Sequence, residues 1–341
     1  MGEKNLLSGL ILTGGQGTRL RPLTLHCPKP LLPIANQPFL SCQLEWLRRH
    51  AVRDVTLCIA EQESPYRSLI RSESRRKTIL HCSREKKPLG TAGALKNAEK
   101  FLRSDTVFIF NGDILTDIDL TQMLAFHRRN QSKITVALIA VQDPSMFGLA
   151  VMDRKNHITH FLEKPLLDSL PKQKFYLVNA GTYLFDRSIF SRIPAGENYS
   201  VEKQLFPDCL QNKIPMFGFA AGLKTYWLDI GTPDKYRRGN ADLILGRAMK
   251  NLSSRWRKIG AGSQIAATAQ IDDETAIGKN CIIKSGCTLK ESVILDGARI
   301  GENCAIEQSL VGKNARLGDH CILRPGSAVA DDSVLGAYSK L

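Results

Sequence analysis

The chain has 341 residues, 47 Lys and Arg against 33 Asp and Glu, and a formal net charge of +14. That length fits about two domains with a sizeable core, and no apolar run reaches the roughly 20 residues of a membrane span, so no membrane partner is expected. The nine cysteines are odd in number and contain no CxxC pair, which points to free thiols in a reducing cytoplasm and against structural zinc. The charge is uneven: residues 255–341 hold eleven basic and ten acidic side chains, whereas 48–103 hold fourteen and six. A basic face attracts nucleic acid or nucleoside triphosphates. The segment Arg71–Lys87 has almost no aromatic residue for base stacking, so no nucleic-acid partner is expected.

Taken in chain order, strand candidates fall at Leu7–Leu12, Val55–Ala60, Val107–Phe110, Ile134–Val141 and Thr182–Phe185. Between the first two, Leu40, Leu44, Leu47 and Ala51 lie on one helical face. This alternation predicts an α/β fold over residues 1–245: a Rossmann-like, mixed but mostly parallel sheet with helices on both faces. Ligands bind such sheets beyond the carboxyl ends of the strands.

The first strand runs into LTGGQGTRLRPLTLHCPKPL, residues 12–31. Gly14, Gly15 and Gly17 allow a sharp turn whose N–H groups can meet a phosphate. Arg19, Arg21 and Lys29 then add cations. A P-loop would end Gly-Lys-Ser/Thr and a dinucleotide loop would read GxGxxG; neither is present. The next strand end reads VFIFNGD, placing Asp113 where a carboxylate suits Mg²⁺ or simply closes a turn. Asp229, in YWLDIGTP, follows an aromatic strand. Asp117 and Asp119 read as turn or helix-cap residues.

From Ile259 the apolar period becomes six. Aliphatic residues recur at Ile259, Ile265, Ile271, Ile277, Ile283 and Leu289. They slip by one residue to Ile294, continue through Ile300 and Ile306, slip again to Val311, and run on to Leu335. A mostly small residue follows each by four. This is the hexapeptide repeat of a parallel β-helix, expected over 259–341 after a 246–258 linker. Cys281, Cys287, Cys304 and Cys321 fall on the small inward positions and read as buried apolar residues, not as a metal cluster. His320 sits alone inside the regular repeat, which is weak ground for an acyl-transfer base.

The stretch from Gly14 to Pro30 resembles the signature of the sugar-1-phosphate nucleotidyltransferases, roughly GGxGTRLxPLTxxxPKP. The resemblance covers nearly the whole chain and implies a left-handed β-helix with three hexapeptides per coil. It implies that Gly14 and Gly15 lie against the base and ribose, that Gly17 and Thr18 also belong to the nucleotide site, and that Arg19 and Lys29 hold the triphosphate. Pro88–Gly93 (PLGTAG) resembles the family's loop against the base, through Gly90. The EKP motif at Glu163–Pro165 implies Lys164 on the sugar phosphate and Glu163 on a sugar hydroxyl. Gly148, Asn179, Gly181 and Thr182 resemble the sugar-pocket residues, and Asp113 and Asp229 the metal-binding aspartates.

Nucleotidyl transfer needs charge stabilisation more than acid–base chemistry, because the attacking sugar phosphate is already an anion. Arg19, Lys29, Asp113, Lys164 and Asp229 are therefore the expected catalytic set, with Mg²⁺ as cofactor. Glu85 bears on the base. Two carboxylate oxygens suit the adjacent N1–H and 2-amino donors of guanine, although a glutamate in the run REKK is also an ordinary solvated residue. The resemblance in architecture and loop sequence implies GTP and mannose 1-phosphate as the favoured substrates. Thymidylyl, uridylyl and adenylyl transfer to glucose 1-phosphate are the alternatives, as is a regulatory subunit of the same fold. The family resemblance also implies homo-oligomerisation through the β-helix.

Overall fold

The computed structural model describes residues 7–15, 17–60, 62–249 and 256–341. Residues 250–255 of the expected 246–258 linker lie outside the described residues. The chain divides into two compact units: residues 1–15, 46–114 and 118–227, and residues 16–45, 115–117 and 228–341.

The first unit is built on a nine-stranded sheet. Its strands are β1 (Leu7–Leu12), β2 (Val52–Ile59), β3 (Ile79–Arg84), β4 (Thr106–Asn111), β5 (Ile134–Val141), β6 (Gly148–Met152), β7 (Ile158–Glu163), β8 (Tyr176–Asp186) and β9 (Met216–Ala220). The order runs β7-β6-β8-β4-β1-β2-β3, with β5 pairing both β8 and β9. Strands β4, β1, β2 and β3 are mutually parallel, as the alternation with helices predicted. Strands β6, β7 and β8 are antiparallel to their neighbours. The short connection from β6 to β7 can only make a hairpin, whereas a parallel pair needs a crossover of a dozen residues or more.

Leu10, Ile11, Val107, Ile109, Val136 and Tyr183 are fully buried in this sheet. Burial of this kind contributes roughly 25 cal/mol per Å² of apolar surface. The helix Phe39–Arg49 buries Leu40, Leu44 and Leu47 as its spacing predicted. Ala51 lies beyond its end, in a left-handed turn with φ 61°. Asp119 caps the helix Leu120–Arg129 by accepting the Gln122 N–H at 2.9 Å.

In the second unit, residues 264–335 wind into three parallel sheets of two- and three-residue strands, five, four and four strands deep. Ile265 pairs Ile283, which pairs Ile300, then Leu317, then Leu335. The steps are 18, 17, 17 and 18 residues, so each coil is three hexapeptides and the slips in the aliphatic repeat are its 17-residue coils. Cys281, Cys287, Cys304 and Cys321 are buried inside, and their thiols donate to backbone carbonyls such as Leu295 O and Gly336 O, both at 3.2 Å. Corners are turned by left-handed residues including Asn280, Gly297, Asn314 and His320. The His320 ring stacks on Tyr338 of the next coil, with centroids 4.8 Å apart and planes 7° from parallel.

Candidate active site

The signature begins in the first unit and continues in the second. In the first, Gly14 and Gly15 follow the end of β1 and are exposed. A Cβ on Gly15 would meet no atom within 4 Å among the described residues, its chain neighbours aside. A Cβ on Gly14 would lie 3.2 Å from Glu85 Oε1. Glu85 follows β3, and its other oxygen accepts the Leu89 N–H at 3.0 Å. That bond aims the carboxylate at Gly14. Burial raises the Glu85 pKa, and the Leu89 N–H pulls it partly back.

Gly112 donates to Leu12 O at 2.9 Å, and a Cβ there would sit 2.5 Å from the same oxygen. Only glycine allows this approach, which holds the Asn111–Asp113 turn against the end of β1. Asp113 is half-buried, one residue further on.

The residues expected on the sugar side are gathered by strand pairing. Glu163 pairs Gly148 across the β6–β7 hairpin, and Val178, beside Asn179, pairs Leu149. A Cβ on Gly148 would lie 2.4 Å from Phe161 Cζ and 3.1 Å from Glu163 Oε2. Lys164 is exposed and adopts φ 50°, with its N–H bonded to Phe147 O at 3.0 Å. Burial raises the Glu163 pKa, and the nearby Glu202 charge adds to the rise. Gly181 has φ 68° at a register shift in β8, where a Cβ would meet Asn111 Nδ2 at 2.7 Å. Thr182 is 1 % exposed, and its hydroxyl has no hydrogen-bond partner among the described residues.

Gly90 begins the helix Gly90–Ala98 with φ 68°. Added Cβ atoms on Gly90 and Gly93 would lie 2.8 Å from Tyr199 O and 2.4 Å from Glu197 O. Both glycines therefore serve close approach of the 197–199 backbone, a constraint the sequence motif does not reveal.

In the second unit, Leu20, Leu23, Pro30 and Leu32 are buried while Thr18 and Arg19 are exposed and Lys29 is half-buried. The apolar residues of the signature anchor the loop and leave its cations outward. Gly17, at φ 61°, accepts Thr24 Oγ1 at 2.8 Å. Arg19 lies over Gly231: a Cβ there would be 3.0 Å from Arg19 Nη2 and 3.4 Å from Asp229 Oδ2. Asp229 ends the short strand Trp227–Asp229 and is ion-paired with Lys235. Lys235 was not foreseen; it lies in the first turn of the helix Pro233–Ile244, whose Thr232 cap brings it back toward Asp229. Thr91, Tyr183 and Glu202 were also missed, because they are far apart in sequence and joined only by hydrogen bonds.

Two family models match. The nucleotidyl transferase model covers residues 8–245, and that of the EIF2B subunit epsilon LbH domain covers 245–341. The mannose-1-phosphate guanylyltransferase of Mycobacterium tuberculosis is 35% identical over 86% of this chain and 81% of its own. The catalytic subunit beta of mannose-1-phosphate guanylyltransferase from Xenopus tropicalis is 33% identical over 81% and 74%. Among solved structures, HddC from Yersinia pseudotuberculosis complexed with GMP-PN matches at TM-score 0.57 and 26% identity, over 68% of this chain and 97% of that one. A putative glucose-1-phosphate thymidylyltransferase from Bacillus anthracis, at TM-score 0.63 and 24% identity over 73% and 98%, shares the fold.

The fold and the match over residues 8–245 define a nucleotidyltransferase. The chain belongs to the nucleotidyl transferase family, within the enzymes that move a nucleotidyl group from a nucleoside triphosphate to a sugar 1-phosphate, giving a nucleotide sugar and pyrophosphate.

Proposed function

We propose that this chain uses GTP and α-D-mannose 1-phosphate, forming GDP-mannose. The observation that carries the choice of base is the Glu85 carboxylate aimed at Gly14. The names of the relatives from Mycobacterium tuberculosis and Xenopus tropicalis agree with it.

In this reading Gly14, Gly15, Gly17 and Thr18 leave room for the base and ribose, with Glu85 accepting from guanine and Gly90 shaping the loop behind it. Arg19 and Lys29 hold the triphosphate. Lys164 binds the phosphate of the sugar 1-phosphate, and Glu163 a sugar hydroxyl. Gly148, Asn179, Gly181 and Thr182 shape the sugar side, the last from within the core. A phosphate oxygen of the sugar phosphate attacks the α-phosphorus in line; the new P–O bond forms as the bond to the β-phosphate breaks, and pyrophosphate leaves with the electron pair. No proton need move, so the protein's work is positioning and neutralisation.

Asp113 and Asp229 are both half-buried, and each offers the oxygen ligands Mg²⁺ prefers; it typically takes one or two carboxylates plus substrate phosphates. When bound, Mg²⁺ supplies Lewis-acid neutralisation of the phosphates. Lys235 keeps Asp229 compensated otherwise.

We further propose residues 1–245 as the catalytic domain, 246–258 as linker and 259–341 as a β-helix that drives homo-oligomerisation in the cytoplasm. Release of pyrophosphate, measured with a coupled pyrophosphatase over a panel of triphosphates and sugar phosphates, tests the substrate choice. The highest kcat/KM is expected for GTP with mannose 1-phosphate. A preference for dTTP, UTP or ATP overturns the choice of base.

A further inference from the structure

Three hydroxyl groups from distant parts of the first unit converge on one carboxylate. Glu202 Oε1 accepts the Tyr183 hydroxyl at 3.1 Å. Its Oε2 accepts Thr91 Oγ1 at 3.2 Å and Ser200 Oγ at 3.1 Å. The two neighbouring hydroxyls are themselves acceptors. Thr91 Oγ1 takes the Val201 N–H at 2.7 Å, and Ser200 Oγ takes the Lys203 N–H at 3.2 Å. Their protons are therefore free for Glu202. An ionised carboxylate only accepts, so it dictates the direction of all three protons.

That direction carries to the sugar side. The Tyr183 side chain is fully buried, and an unpaired hydroxyl there is costly. With its proton on Glu202, Tyr183 turns a lone pair to Asn179 Nδ2, which donates at 2.8 Å. Asn179 Oδ1 accepts the Gly181 N–H at 2.9 Å. Both ends of the Asn179 amide are thus used, and its orientation is set from behind.

The other end of the chain is the Pro88–Gly93 loop. Ala92 N donates to Tyr199 O at 2.8 Å, and Tyr199 N to Leu89 O at 2.8 Å. Gly90 and Gly93 let the 197–199 backbone close on this loop, as described. Glu202 itself sits in a π-helical turn, Val201–Leu205, a rare geometry often kept at functional sites.

We propose that Glu202 is a positioning residue that couples the nucleotide-side loop, through Thr91, to the sugar-side Asn179, through Tyr183. The inference rests on the assignment of those two sides under the proposed function. It predicts that occupancy of one substrate site alters affinity at the other through this hydrogen-bond chain.

The test is a double-mutant cycle of Thr91→Val and Tyr183→Phe, made in the wild type and in Glu202→Ala. It is read in the KM of each substrate and, independently of turnover, in the Kd of mannose 1-phosphate by calorimetry with and without GTP. In the wild-type background the two changes are expected to be non-additive by at least about twofold, the lower bound for groups in one network. In Glu202→Ala they become additive, and the KM of both substrates rises about five- to tenfold, the scale of the net worth of one ordinary hydrogen bond. Glu202→Gln keeps the volume but turns donors toward Thr91 and Ser200. It is expected to raise the sugar-phosphate KM while kcat per folded enzyme holds. Additivity in the wild-type background, or a sugar-phosphate KM untouched in both Glu202 variants, overturns the proposal. So does a loss confined to kcat and melting temperature, which would mark a merely structural residue. A wild type that prefers another triphosphate overturns only the choice of GTP, and the cycle is then read with that substrate.

Discussion

Changing Glu85 to Gln probes the choice of base directly. In the native chain one carboxylate oxygen is held by the Leu89 N–H at 3.0 Å and the other faces Gly14. Glutamine has the same shape. Its single carbonyl oxygen can keep the Leu89 bond, which leaves the NH₂ group facing Gly14. A guanine donor would then meet a donor instead of an acceptor. The loss of one matched, partly desolvated contact is worth roughly 1–3 kcal/mol, or about 5- to 150-fold in kcat/KM for GTP. UTP and dTTP, which present an acceptor beside a donor, should lose little or gain. The assay is initial-rate pyrophosphate release with GTP, ATP, UTP and dTTP on both proteins, with thermal melting as the check on folding. An unchanged GTP preference in the mutant would remove Glu85 from base recognition, because the argument depends wholly on the position of that one oxygen.

Asp113→Asn should lower turnover by about a hundredfold or more, the scale for losing a main electrostatic stabiliser; activity within threefold of the wild type would refute the metal assignment. Lys164→Ala should chiefly raise the KM for the sugar phosphate, and Lys29→Ala should chiefly impair use of the triphosphate, each by roughly 1.5–3 kcal/mol. Steady-state kinetics with each substrate varied in turn would show the split. Glu163→Gln should raise the melting temperature at neutral pH. The Glu163 pKa is raised in the fold, so its ionised form is disfavoured there, and the penalty is present above the folded pKa and absent below the unfolded one. The gain should therefore shrink as pH falls toward the ordinary carboxylate range, and a pH-independent difference would contradict it. Removal of residues 259–341 should lower the molecular weight by light scattering beyond the lost mass. It should also destabilise residues 33–36, because Asn36 Nδ2 donates to Ile277 O at 2.9 Å; an unchanged oligomer would place the main interface elsewhere.

The parts of this protein that could be read from its sequence are those written in local order. The β-helix announces itself because each coil packs on the coil 17 or 18 residues away, so its period is printed along the chain. Even the two slips of register correspond to real short coils. Strand β1 and its glycine loop were legible for a similar reason: an apolar run, then glycines, then cations whose spacing follows the buried Leu20, Leu23 and Pro30. The hairpin of β6 and β7, which joins Gly148 to Glu163, was anticipated only as two separate motifs.

Tertiary structure alone decided what stands behind those motifs. Gly90 and Gly93 read as part of a loop against the base, yet their missing side chains make room for carbonyls more than a hundred residues away. Asp229 reads as a bare metal ligand until the helix cap at Thr232 brings Lys235 back onto it. Thr91, Tyr183, Ser200 and Glu202 are common residue types with no shared spacing, and only the fold makes them one network. A sequence records the period of contacts between near neighbours. Hydrogen bonds between distant segments leave no period, because their partners are chosen by the packing of the sheet.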